Sequence, residues 1–437
     1  ERSSKAGPRQ GRAGFARRCA ILDPARPSGL RFRAGLGMEA GGAVALSQLV
    51  SRPHVSDAMM TDPVALTVEL VRCPSVTPKE AGAITLLEGH LAALGFQCTR
   101  IARGDVENLY ARWGTGGPVF AFAGHTDVVP TGEEAAWSSP PFAAEEVDGR
   151  IVGRGSVDMK SGVAAFVAAA AAVIRTTPPE GSIVLMITGD EEGPAVDGTA
   201  AILDWMREND EKADFCLVGE PTSLARLGDQ VKIGRRGSMT GRLTVEGVQG
   251  HAAYPENAAN PLPALARICA RLDATPLDFG STHFPASTLA LTSIDVGNPA
   301  SNVIPAQGKA VFNIRFNDSK SSDEIRVWAE GIAAEEIAGT GLHAEIDWEV
   351  SGEAFFTPPS GVAEVVIAAI TERCLESPLL TTGGGTSDAR FIKDMCPVVE
   401  FGLVGQGMHA VDESVAVEDI RGLSTIYADI LRNFFGV

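Results

Sequence analysis

Short apolar runs alternate with helix-like segments along most of this chain. The runs are continuously apolar, as expected of strands that are buried on both faces of a sheet. The four clearest are residues 119–123, 183–188, 215–218 and 397–401. Helix-like segments lie between and around them, namely residues 77–94, 160–175 and 199–209. This order predicts an α/β fold with a mostly parallel central sheet.

A different order of elements begins after Gly237. It comprises the strand-like LTVEG, a helix at 261–272, the strand-like STLALTSIDV and AVFNIRFN, a helix at 323–337 and the strand-like AEIDWEV. A β-α-β-β-α-β order is typical of a ferredoxin-like unit. We therefore expect an inserted α+β domain at residues 237–352. It divides the catalytic domain into residues 60–236 and 353–437.

Residues 1–59 differ in composition from the rest. They contain ten Lys or Arg against four Asp or Glu and show no sustained periodicity, which predicts a disordered leader. An organelle transit peptide and a non-native leader both remain open as explanations. After Met60, Thr61 or Asp62 can cap a helix with Pro63 in its first turn. We expect the fold to begin near Met60.

Charge, apolar length and cysteine spacing limit the partners of this chain. Its net charge of −18 disfavours nucleic acid. The longest uncharged apolar stretch, residues 162–174, is too short to span a bilayer. The seven cysteines never form a C-x-x-C spacing, which argues against a disulfide framework or a cysteine zinc site. We expect a cytoplasmic globular protein without a nucleic-acid or membrane partner.

Several acids and one histidine follow the predicted strands, while Asp158 lies at the start of the Ala-rich helix and His409 late in the chain. They occur in FAGHTDVVP, GRGSVDMKSG, GDEEG, GEPTS and GMHAVDE, as His125, Asp127, Asp158, Glu191, Glu192, Glu220 and His409. Because ligands bind at the carboxyl ends of strands in open α/β sheets, we expect these side chains to converge. Imidazole nitrogens and carboxylate oxygens are ligands of catalytic zinc. Asp158 is suited to bridge two ions.

The remaining acids have predicted supporting roles. One of the paired glutamates can bind metal while the other acts as a general base. Asp127 is placed to orient the His125 imidazole. Other interpretations stay open, since Glu191 and Glu192 can be a charge pair at a helix N-terminus and Asp158 can form a surface ion pair.

Lys and Arg side chains in this acidic chain indicate which charged groups the substrate has. Arg315 alternates with apolar residues along FNIRFN and so points away from the apolar face of that strand. Arginine pairs with carboxylates through two hydrogen bonds, which suggests a substrate with several carboxylates. The residues concerned are Lys232, Arg235, Arg236, Arg315 and Arg390, together with the loop amides of Gly384, Gly385 and Thr386.

The motif series, with GRRGS, GHAAYPENAANP, SNVIP and GGGTSDARF, resembles that of the di-zinc aminoacylase and carboxypeptidase family from about residue 62 onward. The resemblance implies two Zn²⁺ per subunit, with Co²⁺ as a substitute. One zinc is bound by His125, Asp158 and Glu220, and the other by Asp158, Glu192 and His409. Glu191 is then the general base, Asp127 orients His125, and the peptide after Asp158 is cis.

The same resemblance implies a homodimer formed through the inserted domain. In this arrangement His251 stabilises the oxyanion in the other subunit's site, and Tyr254 and Asn302 bind substrate. The implied reaction is hydrolysis of N-succinyl-LL-2,6-diaminopimelate to succinate and LL-2,6-diaminopimelate in bacterial lysine synthesis. The alternatives are an acetylornithine deacetylase, aminoacylase or dipeptidase activity, or a catalytically silent zinc protein.

Overall fold

The computed structural model describes residues 61–437. The prediction of a disordered leader at residues 1–59 lies outside this range. Within the described residues the helices are α1 (Pro63–Val71), α2 (Ala83–Ala93), α3 (Lys160–Thr176), α4 (Thr199–Glu208), α5 (Leu262–Ala274), α6 (Ser322–Ile337), α7 (Val362–Cys374), α8 (Ala389–Ile392) and α9 (Val417–Phe435). None of these helices has the length and apolar character needed to cross a membrane.

The strands fall into one large sheet, one four-stranded sheet and three small ones. In chain order they are β1 (Gln97–Arg103), β2 (Val106–Trp113), β3 (Val119–His125), β4 (Glu145–Val147), β5 (Arg150–Val152), β6 (Ser182–Thr188), β7 (Phe215–Val218), β8 (Gln230–Lys232), β9 (Gly234–Arg235), β10 (Gly237–Glu246), β11 (Gly250–His251), β12 (Thr288–Asp295), β13 (Val303–Ile304), β14 (Gln307–Phe316), β15 (His343–Gly352), β16 (Phe355–Phe356), β17 (Leu379–Thr381), β18 (Val398–Glu400) and β19 (Ser414–Ala416).

The large sheet has the strand order β1-β2-β6-β3-β7-β18-β8-β17. Its four central strands, β6, β3, β7 and β18, run parallel, and antiparallel pairs occur toward the edges. Every residue of β3, β6 and β7 is buried. On one face Phe122 of β3 stacks on Phe166 of the Ala-rich α3 with 4.1 Å between ring centroids. The predicted α/β fold with a mostly parallel central sheet is confirmed.

The four-stranded sheet is formed by the segment predicted as ferredoxin-like. Its order is β12-β14-β10-β15, all neighbours are antiparallel, and α5 and α6 cover one face. The fold class of the insert is therefore confirmed. The sheet has its own apolar core, which includes Phe312, Ile314 and Ile325. The start and end of the segment are adjacent, because Ser238 pairs with Gly352.

The N-terminal helices show where the sequence prediction succeeds and where it fails. The start of α1 is as predicted, because the side chain of Asp62 accepts a hydrogen bond from Val64 N and Pro63 lies in the first turn. The prediction of a helix from residue 77 is wrong, since α2 begins at Ala83. Ala81 and Gly82 have positive φ angles, so the helix cannot extend back through them.

Candidate active site

The central strands bring the predicted acids and histidines to one end of the large sheet. His125 is the last residue of β3, Glu191 and Glu192 follow β6, and Glu220 follows β7. These strands are parallel neighbours, so their carboxyl ends meet at one edge. Asp158 lies just before α3, and the Asp158–Met159 peptide is cis, as the resemblance implied.

Asp158 lies between the two histidines. Its Oδ1 is 3.2 Å from His125 Nε2, and its Oδ2 is 3.4 Å from His409 Nε2. Glu220 Oε1 is 3.8 Å from His125 Nε2, and Glu192 Oε1 is 2.8 Å from His409 Nε2. Each histidine therefore faces one oxygen of Asp158 and a glutamate of its own, an arrangement compatible with the two ligand sets that the family resemblance implies.

Asp127 contacts His125 mainly through its main chain. His125 Nδ1 is 2.9 Å from the carbonyl oxygen of Asp127 and 3.7 Å from its carboxylate. The carboxylate instead accepts hydrogen bonds from the backbone amides of Glu191 and Glu192, at 3.2 and 3.1 Å. Asp127 thus orients the imidazole with its carbonyl group and fixes the loop of paired glutamates with its side chain.

The buried carboxylates repel one another. Burial, followed by repulsion from Asp388, Asp158 and Glu192, raises the pKa of Glu191 to about 8. Burial and repulsion from Asp158 and Glu191 also raise the pKa of Glu220 well above its usual range. Hydrogen bonds to Asp158 and Glu192 raise the pKa of His409 to about 10. The site therefore brings together more carboxyl groups than its two histidines can pair with.

Burial alone would raise the pKa of Asp158, but hydrogen bonds to His125 and His409 outweigh it and lower that pKa. His125 is buried too, yet Asp158, Glu220 and Asp127 raise its pKa. Both histidines therefore favour positive charge in the absence of any other cation.

The donor set fits a divalent metal ion. His125, Asp158 and Glu192 offer ligand atoms within 4.8 Å of one another, and so do His125, Glu191 and Glu220. Nitrogen and carboxylate oxygen ligands of this kind suit zinc. A cation would also relieve the repulsion among the acids.

Most of these side chains line a cleft of about 1370 Å³. Asp158, Glu191, Glu192, Glu220 and His409 line its acidic part. Lys232, Arg235, Arg315 and Arg390 also line the cleft, with Gly384, Gly385 and Thr386. The cleft is lined by both acidic and basic side chains and is large enough for a small polar substrate.

Two of the cations hold the glycine loop. Lys232 Nζ donates a hydrogen bond to the Gly383 carbonyl at 2.7 Å, and Arg235 Nη1 donates to the Gly385 carbonyl at 2.8 Å. The rest of the Arg235 guanidinium binds the fully buried carboxylate of Glu400. Arg235 is therefore part of the wall of the cleft, and its guanidinium is held by both the Gly385 carbonyl and the Glu400 carboxylate.

Three other arginines lie close together without a carboxylate. No described acid pairs with Arg236, Arg315 or Arg390 within 4 Å. Burial, with repulsion from Arg236 and Arg390, lowers the pKa of Arg315. The Nε atoms of Arg236 and Arg390 are buried and have no hydrogen-bond partner among residues 61–437. Such a cluster is suited to bind an anion.

His251, Tyr254 and Asn302 lie apart from this cleft. They belong to the loops around β11 and β13, where Ala252 N donates to the Asn302 carbonyl at 2.9 Å, and none of the three lines the cleft. All three are exposed. The structure of this chain therefore does not bring these three predicted residues to the candidate metal ligands.

Sequence reasoning missed several buried charges around the site. Arg154, Asp388, Glu400 and Glu413 are each at most 4% exposed. Three of them, Arg154, Asp388 and Glu413, stand within quoted motifs, and Glu400 stands in the predicted strand at 397–401. Their partners are far away in sequence, as for Arg154 and Glu413, which are 259 positions apart.

Residues 121–433 match the model of peptidase family M20/M25/M40. The matched span covers more than half of the chain and contains every candidate metal ligand. The chain belongs to this peptidase family. The family resemblance inferred from the motifs is thus confirmed.

Curated relatives of this M20-family chain are similar over nearly their whole length. Succinyl-diaminopimelate desuccinylase 1 of Ruegeria sp. (strain TM1040) is 56% identical over 377 residues, covering 86% of this chain and 99% of that protein. Succinyl-diaminopimelate desuccinylase of Cereibacter sphaeroides is 55% identical over 379 residues, covering 86% of this chain and 100% of that protein.

Solved structures share the M20 fold at low identity. Aminopeptidase PepT of Bacillus cereus aligns with a TM-score of 0.71 at 21% identity and covers 86% of this chain and 99% of its own. The YXEP protein of Bacillus subtilis, described as a dinuclear metal-binding peptidase from the M20 family, aligns with a TM-score of 0.67 at 16% identity and covers 87% and 99%.

Proposed function

We propose that this protein hydrolyses N-succinyl-LL-2,6-diaminopimelate to succinate and LL-2,6-diaminopimelate, a step of bacterial lysine and diaminopimelate synthesis. The observation that carries the proposal is identity of 55–56% over almost the full length of relatives named for this activity. The carboxylate and histidine cluster at the sheet end supports a metal-dependent amide hydrolysis.

The proposed cofactor is a pair of Zn²⁺ ions, for which Co²⁺ can substitute. His125, Asp158 and Glu220 would bind one ion, and Asp158, Glu192 and His409 the other. When bound, such ions polarise the amide carbonyl and lower the pKa of water. The two oxygens of Asp158, each directed to a different histidine, support its role as the bridging ligand.

Glu191 is the proposed general base. It lines the cleft, and its side chain forms no hydrogen bond with another described residue, while Asp127 fixes its backbone. The carboxylate takes a proton from the attacking water and passes it to the nitrogen of the leaving amine as the amide C–N bond breaks.

His251 is the proposed oxyanion donor, acting in the other subunit of a homodimer that forms through the inserted sheet. Its exposed position away from the cleft of its own chain supports action in trans. Ala253 N donates a hydrogen bond to His251 Nδ1 at 3.0 Å, so the neutral ring has its proton on Nε2. That N–H is then available to the carbonyl oxygen. Tyr254 and Asn302, in the adjacent loops, would contact substrate from the same side.

The substrate carboxylates would bind the cationic part of the cleft. Arg315 and Arg390 line the cleft with Arg235, Arg236 lies close to Arg315, and no described acid pairs with Arg236, Arg315 or Arg390. Because a trans peptide directs N–H opposite to the preceding C=O, the amides of Gly384 and Thr386 point away from Lys232 and Arg235. Neither amide has a hydrogen-bond partner among the described residues. The loop of Gly384, Gly385 and Thr386 would therefore bind a carboxylate through its backbone.

The proposed compartment is the cytoplasm. All six described cysteines are free thiols, which supports a reducing environment.

The decisive experiment compares N-succinyl-LL-2,6-diaminopimelate with N-acetylornithine as substrates for the purified protein, alongside elemental analysis. We expect two zinc ions per chain, preference for the succinyl substrate, and loss of activity on chelation that zinc or cobalt reverses. A preference for acetylornithine would favour the alternative deacylase activity. Zinc binding with no hydrolysis of either substrate would favour a silent homologue.

An arginine variant with a matched control tests the substrate class. Arg315→Ala should raise KM for the succinyl substrate more than for acetylornithine, which has fewer carboxylates. Arg326→Ala removes an arginine of α6 that pairs with Asp323, outside the cleft, and should leave both KM values unchanged. Equal effects of Arg315→Ala on both substrates would contradict the carboxylate role.

A further inference from the structure

Arg154 and Glu413 form an ion pair that is almost completely shielded from solvent. Arg154 Nη1 is 2.7 Å from Glu413 Oε2, and the two residues are 2% and 1% exposed. The ring of Trp137 covers the guanidinium at 5.2 Å from Cζ. Transfer of two charges out of water costs free energy that their attraction only partly offsets. Stability alone therefore does not account for the pair.

The second oxygen of Glu413 holds the backbone that leads into Asp158. Oε1 accepts hydrogen bonds from Val157 N at 2.8 Å and Asp158 N at 3.2 Å. The main-chain carbonyl of Glu413 also accepts from Gly153 N at 2.8 Å. One residue thus fixes both ends of the loop from Gly153 to Asp158.

Arg154 holds the backbone around His409. Its Nη2 donates to the carbonyl of His409 at 3.2 Å, and its Nη1 donates to the carbonyl of Ala410 at 3.2 Å. Nη2 also lies 3.3 Å from the carbonyl of Pro130, in the loop after β3. His409 has a φ of +62°, a left-handed conformation that is uncommon for residues with a side chain. The Arg154 guanidinium therefore restrains the loop that contains His409 in this conformation.

The two candidate metal positions differ in how they are supported. His125 is the last residue of a fully buried strand, and Glu220 lies two residues beyond another, so the large sheet itself positions both. His409 lies in a loop with a 45% exposed side chain. The side chains of Arg154 and Glu413 connect the backbone around His409 to the backbone that leads into Asp158.

We propose that the Arg154–Glu413 pair is a positioning device that sets the distance between Asp158 and His409. It favours metal binding at the position formed by Asp158, Glu192 and His409, and leaves the position formed by His125, Asp158 and Glu220 much less affected. This inference rests on the proposed metal function. Neither Arg154 nor Glu413 contacts substrate in this arrangement.

Two variants separate positioning from folding. Glu413→Gln retains one acceptor for Val157 N and Asp158 N but removes the negative partner of Arg154. The double variant Arg154→Met with Glu413→Leu replaces the pair by apolar side chains of similar volume, a type of change that often preserves folding. The control is Glu211→Gln, which breaks a partly buried pair with Arg112 remote from the cleft.

The measurement is titration of the metal-free proteins with Zn²⁺ and, separately, with Co²⁺ followed by visible absorption. In both pair variants we expect affinity for one ion to fall about 10–100-fold while the other changes little. His409→Ala should weaken the same ion and so assign the position. Glu211→Gln should bind both ions like the unmodified protein.

Backbone amide hydrogen exchange of the metal-free proteins gives a second readout. Residues 405–412 should exchange faster in both pair variants than in the unmodified protein or the control, because the loop has lost its restraint. Unchanged metal affinities together with unchanged exchange in a folded double variant would overturn the inference, and so would equal weakening of both ions. If the unmodified protein binds fewer than two ions, the proposed metal function fails, and exchange alone decides whether the pair positions the loop.

Discussion

Asp158 directs its two carboxylate oxygens to different histidines, with Oδ1 3.2 Å from His125 and Oδ2 3.4 Å from His409. These histidines are 284 positions apart in the sequence and lie in different structural settings, one at the end of a strand and one in a loop. A carboxylate placed in this way can serve two ions at once. The predictions below test the roles that we assign to the surrounding residues.

Substitution of the paired glutamates should distinguish a general base, Glu191, from a metal ligand, Glu192. Glu191→Gln keeps the side-chain volume but removes the basic oxygen, so kcat should fall by about 10²-fold or more while metal content is unchanged. Glu192→Gln should reduce metal content, because Glu192 Oε1 lies 2.8 Å from His409. Elemental analysis and steady-state kinetics check both variants. Equal loss of metal in the two variants would refute this division.

His251 should act across the dimer. His251→Ala should lower kcat by about 10²–10³-fold, as expected for loss of an oxyanion donor. When inactive His251→Ala and Glu191→Gln dimers exchange subunits, each hybrid regains one complete site. Half of the dimers are hybrids at random exchange, so about a quarter of the original activity should return.

Differently tagged chains must show that the exchange has occurred. Demonstrated exchange without recovered activity would place His251 in its own subunit's site or outside catalysis.

Substrate binding should depend on the backbone conformation of the glycine loop at Gly384. Gly384 has a φ of +105°, and an added Cβ would lie 3.2 Å from Lys232 Nζ and 3.3 Å from Arg235 Nη1. Gly384→Ala should therefore distort the loop at a cost of about 1–3 kcal/mol and raise KM about tenfold or more. Gly385→Ala is the control, since no heavy atom lies within 4 Å of its added Cβ. Similar KM values for the two variants would count against a backbone role in binding.

Substrate affinity should weaken at alkaline pH through Lys232. Burial, followed by repulsion from Arg235, lowers the pKa of Lys232 to about 8. The ammonium group is charged below that pH and loses its proton above it, so KM for an anionic substrate should rise as the pH increases from 7 to 9.

Lys232→Arg stays charged throughout this range. The ratio of its KM to that of the unmodified protein should therefore fall across the same interval. A constant ratio would show that other groups cause the pH dependence.

The convergence of acids and histidines at the end of the large sheet was predictable because strand ends are local features. His125, Glu191, Glu192 and Glu220 each follow an apolar run within four residues, and the parallel order of the runs makes their ends meet. The fold of the insert was predictable for the same reason, since its strands and helices have clear boundaries in the sequence.

Contacts that depend on folded geometry could not be predicted. The carboxylate of Asp127 binds two backbone amides, and its carbonyl group orients His125, but a sequence motif does not show which atom of a residue makes a contact. Arg235 is a cation in an acidic chain, yet its partner Glu400 is 165 positions away. The predicted start of α2 was wrong because Ala81 and Gly82 have positive φ angles. An alanine in the sequence gives no clear sign of that backbone conformation.

The inserted sheet is joined to the rest of the protein by a narrow ribbon. Gly234–Arg235 pairs with Phe355–Phe356, and the next pair along the chain is Ser238 with Gly352. Cα atoms of such partners are about 5 Å apart, so a two-residue turn would be enough to close the ribbon without the insert. The module can therefore be exchanged or lengthened at one point of the chain, while the strand ends that carry the candidate metal ligands stay in place.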